Sequence, residues 1–233
     1  MLLLFDIDGT LVQKASREHA VALLQALHDV HGISTNTISK HGSAAGRTDG
    51  EIARLILLDA GVSADRIDER AADVQEQCCR LYADMCPADL SEAVVGGMPQ
   101  TLEWLAGLKG IQLALVTGNF EPVARIKLRA AGIGHWFAHE QGGFGSDSED
   151  RSMLPPIARR RAGESAGLGV SWPREETLVI GDTPRDIACA HADGVRCLAV
   201  TTGPHADDDL VGADAVARSS AELRAELARL LGL

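Results

Sequence analysis

The stretch Leu2-Leu3-Leu4-Phe5-Asp6-Ile7-Asp8-Gly9-Thr10 sets the frame for the whole chain. Residues 2–7 form a short apolar run that breaks into Asp6, Asp8 and Gly9. A run of this length and hydrophobicity suits a strand buried on both faces, as in a parallel sheet. The same signature recurs downstream. Residues 111–116 end in Thr117-Gly118-Asn119, residues 177–180 in Gly181-Asp182, and residues 195–202 at Gly203, with a shorter run at 213–217. Between these runs lie helical patterns. In residues 122–131, Val123, Ile126, Leu128 and Ala131 recur at near-helical spacing with Gly132 as a stop, and residues 184–193 are closed by Gly194. Strands alternating with helices predict an α/β fold, a Rossmann-like, doubly wound parallel sheet with right-handed crossovers.

Residues 14–87 break that rhythm. Residues 19–31 read as a helix with Val21, Leu24, Leu27 and Val30 facing inward, and residues 50–60 and 64–85 also read as helical. The expected organisation is a catalytic core of residues 1–13 and 98–233 interrupted by a helical insert, residues 14–97. The exit from the insert, residues 92–99, is punctuated by Gly96, Gly97 and Pro99, and Pro99 suits the first turn of a helix over 100–108. Residues 142–150, rich in Gly, Ser and Asp, read as a loop.

Composition narrows the function classes. The 233 residues carry 33 acidic and 22 basic side chains, a formal charge of −11, with only 3% aromatics. Such a chain is poorly suited to nucleic acid or an anionic membrane face, and it lacks the aromatic platforms that stack single strands. The opening apolar run stops at Asp6, short of the roughly 20 apolar residues of a membrane span, and has no basic flank of the kind that marks a signal peptide. Cys78, Cys79, Cys86, Cys189 and Cys197 are odd in number and contain no C-x-x-C, so reduced thiols in a cytoplasmic protein are expected.

In a doubly wound sheet, ligands bind beyond the carboxyl ends of the strands. Asp6 and Asp8, Thr117, and Asp182 with Asp186 all fall at such ends. Residues two apart on a strand share a face, so Asp6 and Asp8 address one site. Crowded carboxylates repel, and a divalent cation with oxygen ligands relieves that repulsion; Mg²⁺ also keeps coordination positions for substrate phosphate oxygens. The residues therefore point to a Mg²⁺ site of Asp6, Asp8 and Asp182 and to phosphoryl chemistry with a carboxylate nucleophile.

Phe5-Asp6-Ile7-Asp8-Gly9-Thr10-Leu11 resembles the first motif of the haloacid dehalogenase superfamily, Val116-Thr117-Gly118-Asn119 its second, and the segment from Val179 to Ile187 its fourth. The insert lies where that family carries a C1-type cap. The resemblance implies roles. Asp6 is the nucleophile that forms an aspartyl-phosphate, and Asp8 is the acid that protonates the leaving alcohol and the base that then activates water. Thr117 and the backbone at Gly118, with Asn119 beside it, hold the phosphoryl group. Asp182 completes the Mg²⁺ site with Asp6 and the backbone carbonyl of Asp8, and Asp186 is a supporting acid or an additional ligand. The usual third-motif lysine is absent. Arg151, which follows the 142–150 loop and precedes a helical stretch at 153–161, is the expected substitute; Lys127 is the alternative, though its place also suits an ordinary surface position. Arg159, Arg160 and Arg161 read as a solvated helix face.

Within the insert, Gly46-Arg47-Thr48-Asp49 resembles a cap segment of phosphoglycolate-phosphatase-like members. Two readings coexist: Thr48 or Asp49 caps the next helix, and Arg47 and Thr48 contact substrate. The expected activity is Mg²⁺-dependent hydrolysis of a small phosphorylated metabolite by a monomer or homodimer. The alternatives are a sugar phosphomutase of the same superfamily or a non-catalytic binding protein that kept the fold. Asp8 argues against the superfamily's metal-free dehalogenases, and against its phosphonatases even though Lys40 could reach from the cap.

Overall fold

In the computed structural model, residues 1–33 and 44–233 are described; Lys40 lies outside them. Six strands form one sheet in the order β3-β2-β1-β4-β5-β6: β1 (Leu2–Phe5), β2 (Gln112–Thr117), β3 (Gly143–Phe144), β4 (Thr177–Gly181), β5 (Arg196–Val200) and β6 (Ala215–Ala217). Every pairing is parallel. β1 is central, with Phe5 in register with Leu115 on one side and Ile180 on the other, so the residues just past Phe5, Leu115 and Ile180 emerge together at one edge.

The two faces of the sheet explain why β1 reads as an unbroken apolar run. Leu3 and Phe5 join one core with Leu102, Leu105, Leu128 and Leu223; Leu2 and Leu4 join the other with Leu154, Ala158 and Ile187. These layers are supplied by α4 (Met98–Ala106), α5 (Glu121–Ala130), α6 (Leu154–Ser165), α7 (Pro184–Ala192) and α8 (Ser220–Leu231). Pro99, Pro122 and Pro184 sit in the first turns of their helices, where a missing N–H costs nothing. The loop expected at 142–150 contains the edge strand β3 instead. A Cβ on Gly143 would lie 2.2 Å from the Leu154 carbonyl oxygen, so close packing is one reason for glycine there.

The insert holds α1 (Arg17–His31), α2 (Asp49–Asp59) and α3 (Ala64–Met85). The inward face of α1 is Ala22, Leu23, Ala26 and Leu27, whereas Val21 is 48% exposed, a correction to the expected stripe. Alanines at 22 and 26 let α1 approach α3 closely. Cys78 and Tyr82 of α3 fill the same cluster, which extends onto Phe120 and Val123 at the start of α5. All five cysteines are free thiols. Among the described residues, no helix is long and apolar enough to cross a membrane.

Candidate active site

Asp6 and Asp8 leave β1 into a tight loop in which the Gly9 amide donates to the Val12 carbonyl (2.8 Å) and the Leu11 amide to Ile7 (2.9 Å). Gly9 has φ +90, and a Cβ there would lie 2.2 Å from Asp182 Oδ2. Position 9 therefore demands glycine for both conformation and approach. Asp182 follows β4, and Asp186 sits in the first turn of α7. That turn is closed by a capping box: the Thr183 amide and hydroxyl both donate to Asp186 Oδ2 (3.0 and 2.7 Å).

The carboxylates of Asp6, Asp182 and Asp186 converge, with one oxygen of each within 4.8 Å of the others, and all three residues are buried. Arg151, from a short 3-10 turn (Arg151–Met153), places its guanidinium against Asp6 Oδ1 (3.1 Å) and donates to Asp186 Oδ1. Burial pushes the Asp6 carboxyl up to about 7, Arg151 opposes that shift, and the neighbouring Asp186 and Asp8 charges add to it. Burial likewise pushes Asp182 up to about 8, with the Asp6 and Asp186 charges reinforcing it. The Thr10 hydroxyl donates to Asp182 Oδ1 (2.8 Å), but Oδ2 is buried without any hydrogen-bond partner. A buried, unpartnered carboxylate oxygen is costly. Gly9 and Gly203 leave the space around it clear; a Cβ on Gly203 would lie 1.7 Å from it. A hard divalent cation bound through oxygen fits this cradle. Asp6 and Asp182 have the freest oxygens for it, while both oxygens of Asp186 are engaged by Thr183 and Arg151.

Asp8 sits in a different environment. Lys127 Nζ donates to both of its oxygens (2.7 Å each) and to Asn119 Oδ1 (2.9 Å). Asn119 Nδ2 donates to Asp8 Oδ2 (2.8 Å) and Ser16 Oγ to Asp8 Oδ1 (2.9 Å). Burial alone would raise the Asp8 carboxyl, but the Lys127 charge and hydrogen bonds, with His19 and Asn119, hold it down at about 2. With its side chain so engaged, Asp8 has no carboxylate oxygen free of a donor.

Lys127 is fully buried, which corrects the surface alternative. The signal was present: residue 127 lies four past Val123 and four before Ala131, on the inward stripe of α5. The solvated-face reading of Arg159 to Arg161 is also corrected. Arg159 is buried and holds Asp193 through Nε (2.6 Å) and Nη2 (2.9 Å), and Arg161 holds Asp147 (2.6 Å); Arg160 alone is solvent-facing.

Thr117 is buried at the end of β2, and its Oγ1 accepts from the Asn119 amide (3.3 Å). The Asp49 amide donates to the Gly118 carbonyl (2.8 Å), and a Cβ on Gly118 would meet the Arg47 carbonyl oxygen at 2.1 Å. The insert is thereby pressed against the second motif. Thr48 is the N-cap of α2, accepting from the Glu51 amide (3.1 Å) and donating to the Glu149 carbonyl (2.7 Å); it lies behind the cavity wall rather than on it. Arg47 does line the cavity, paired with Glu51 and with its Nε unpartnered. One pair escaped the sequence reading: His19 Nε2 meets Asp49 Oδ2 (3.1 Å), which also accepts from the Phe120 amide (2.7 Å). The cavity between insert and sheet edge encloses about 540 Å³ and is lined by Asp6, Asp8, Asn119, Arg151 and Asp182 on the core side. His19, Arg47 and Ile52 face them from the insert.

The fold is shared with known proteins. A predicted phosphatase from Clostridium acetobutylicum superposes with a TM-score of 0.68 at 19% identity, covering 100% of this chain and 98% of the other. A β-phosphoglucomutase from Clostridium difficile gives 0.64 at 18% identity, covering 98% and 95%. Among curated sequences, a phosphoglycolate phosphatase of Pseudomonas syringae pv. tomato is 28% identical over 205 residues, spanning 87% of this chain and 70% of the relative. One from Neisseria meningitidis is 28% identical over 216 residues, spanning 92% and 85%. A strand-end acid pair in a parallel sheet, a second strand-end acid cradled by glycines and a buried arginine against the first acid are thus accompanied by a match of residues 1–194 to the family model for haloacid dehalogenase-like hydrolases, and the chain belongs to that family.

Proposed function

We propose that this hydrolase is a Mg²⁺-dependent phosphatase of small phosphorylated metabolites, with residues 14–97 serving as its cap. The observation that carries the reading is the buried, unpartnered Asp182 Oδ2 beside Asp6, in a cradle of Gly9 and Gly203. Asp6 and Asp182, with the Asp8 carbonyl, would hold the cation, and Asp186 would keep Arg151 in place. The cation supplies charge that draws the phosphoryl oxygens in and stabilises them in the transition state. An Asp6 oxygen attacks phosphorus, the ester P–O bond breaks, and the leaving oxygen takes its proton from Asp8, which is ionised in the free protein and would have to take up that proton as the anionic ester binds. Water then attacks the aspartyl-phosphate, gives its proton to Asp8, and the Asp6–phosphorus bond breaks to release inorganic phosphate. Arg151 neutralises charge beside Asp6, and Thr117 with the Gly118 backbone borders the phosphoryl site.

The names of the curated relatives make phosphoglycolate the first ester to try. The test is a panel of phosphate esters assayed for inorganic phosphate with and without Mg²⁺, alongside Asp6→Asn. We expect Mg²⁺-dependent release in the unaltered protein and loss of at least about 10³-fold in the variant, because the nucleophile is gone. Release that survives Asp6→Asn overturns the mechanism, and transfer to a bound sugar without free phosphate favours a mutase.

A further inference from the structure

Two buried cations flank this site, and they serve different aspartates. Arg151 reaches Asp6 and Asp186; Lys127 reaches Asp8 and Asn119. All three N–H bonds of the ammonium are used on those two side chains, and no other partner of Lys127 is found among the described residues. The neighbours of Lys127 on the α5 stripe, Val123, Ala124 and Leu128, are apolar. An apolar side chain would fill that stripe without the cost of burying a charge. The charge is therefore placed there for what it touches. Asp8 in turn receives four donor contacts on two oxygens: two from Lys127, one from Asn119 and one from Ser16. Four donors from three directions fix the rotation of the carboxylate, and Asn119 is itself held at both ends, by Lys127 on Oδ1 and by Asp8 and Thr117 through Nδ2.

We infer that Lys127 is a positioning residue dedicated to Asp8: it orients that carboxylate for the water-activating half of the reaction, while Arg151 serves the nucleophile. The inference rests on the phosphatase reading. It assigns Lys127 to the second half-reaction and not to the phosphoryl group.

The test uses the full-length protein with Mg²⁺ and p-nitrophenyl phosphate, whose leaving group departs as nitrophenolate with little need of a proton. In Lys127→Met the attack by Asp6 proceeds and hydrolysis of the aspartyl-phosphate lags. Rapid mixing should therefore show a burst of about one nitrophenolate per active site, followed by steady-state turnover reduced about 10²-fold, the lower end of what acid–base catalysis contributes. Lys127→Gln, which keeps neutral donors, should recover part of that loss; it also decides the question if Lys127→Met fails to fold. In the Asp8→Asn background, Lys127→Met should cost less than about threefold, because the group it positions is no longer a base. A KM increase with unchanged kcat, loss without a burst, or losses that multiply in the double variant would each place Lys127 on the phosphoryl group and overturn the inference. Turnover in Lys127→Met at the unaltered rate overturns it alone. Absence of any Mg²⁺-dependent turnover in the unaltered protein overturns the phosphatase reading and this inference with it.

Discussion

Replacing Arg151 with Met tests the electrostatics of Asp6, the proposed nucleophile, directly. The guanidinium is buried, lies 3.1 Å from Asp6 and donates to Asp186. Methionine fills much of the same volume but leaves the buried carboxylates of Asp6 and Asp186 without their shared cation. Removing one partner of a buried pair typically costs about 3–5 kcal/mol. For a chain of this size that corresponds to a fall in Tm of roughly 6–20 °C. The pH dependence sharpens the prediction. The Asp6 carboxyl sits at about 7 in the folded protein, above its unfolded value, and Arg151 is the strongest influence holding it from rising further. Asp6 therefore stabilises the fold least above its folded pKa, in both proteins, and the variant's pKa lies higher. Below pH 7 Asp6 is protonated in both, and it contributes nothing to their difference. Above pH 7 the unaltered protein releases that proton while the variant retains it, so the stability gap widens with a slope that approaches about 1.4 kcal/mol per pH unit. Denaturant unfolding in the presence of a chelator, at pH 5, 6, 7 and 8, measures this. The expected gap is nearly flat from pH 5 to 6.5 and grows by about 1 kcal/mol from pH 7 to 8. A gap that is constant throughout, or that narrows with pH, refutes the coupling between Arg151 and Asp6.

Two further outcomes follow from the same geometry. Gly118→Ala places a Cβ 2.1 Å from the Arg47 carbonyl oxygen, backbone against side chain, so the insert must shift off the second motif; we expect a stability loss of about 1–3 kcal/mol and at least a tenfold drop in kcat/KM. Mg²⁺ binding near pH 7 should displace protons from Asp6 and Asp182, raised to about 7 and about 8. Calorimetry in two buffers of different ionisation enthalpy should give about one proton released per ion, and a value of zero would exclude these carboxylates as ligands.

How far the sequence speaks is clearest at particular residues. β1 is legible because all four residues are buried and apolar, and the strand ends where the acids begin. β3 is not, because two residues carry no periodicity, and it exists through pairing with Val116 and Thr117. The inner face of α1 is only partly legible: Leu27 is buried and Leu24 and Val30 pack against the cluster, but Val21 faces out, and the alanines that complete the face carry little hydrophobic signal. Ala22 and Ala26 are inside because small side chains admit α3, a property of the partner helix and not of α1. Lys127 and Arg159 share a further pattern. Each occupies an apolar stripe of its own helix and is neutralised by an acid far away in sequence, Asp8 and Asp193. A single sequence shows that a charge lies on a buried face, but not which distant carboxylate meets it there. The strand-end acids escaped this difficulty because the parallel sheet itself brings them together.

The same pairing logic explains how a chain of formal charge −11 would present the proposed site to an anionic ester. Four carboxylates (Asp6, Asp8, Asp182 and Asp186) face two buried cations (Arg151 and Lys127). Were all of them ionised, the site would carry two uncompensated negative charges. Asp8 has Lys127 to itself and is held ionised, whereas Arg151 is divided between Asp6 and Asp186, and Asp182 Oδ2 has no partner. The deficit therefore falls on Asp6 and Asp182, the two acids whose pKa values are raised toward and above neutrality. Without metal, those two acids relieve the deficit by retaining protons. A divalent cation bound there would supply the missing two charges, displace the protons and leave Asp6 as the free carboxylate that the proposed nucleophile must be. On the proposed function, the division of the cations between the aspartates would thus couple metal binding to activation of Asp6, while Asp8 sits in its own separate clamp.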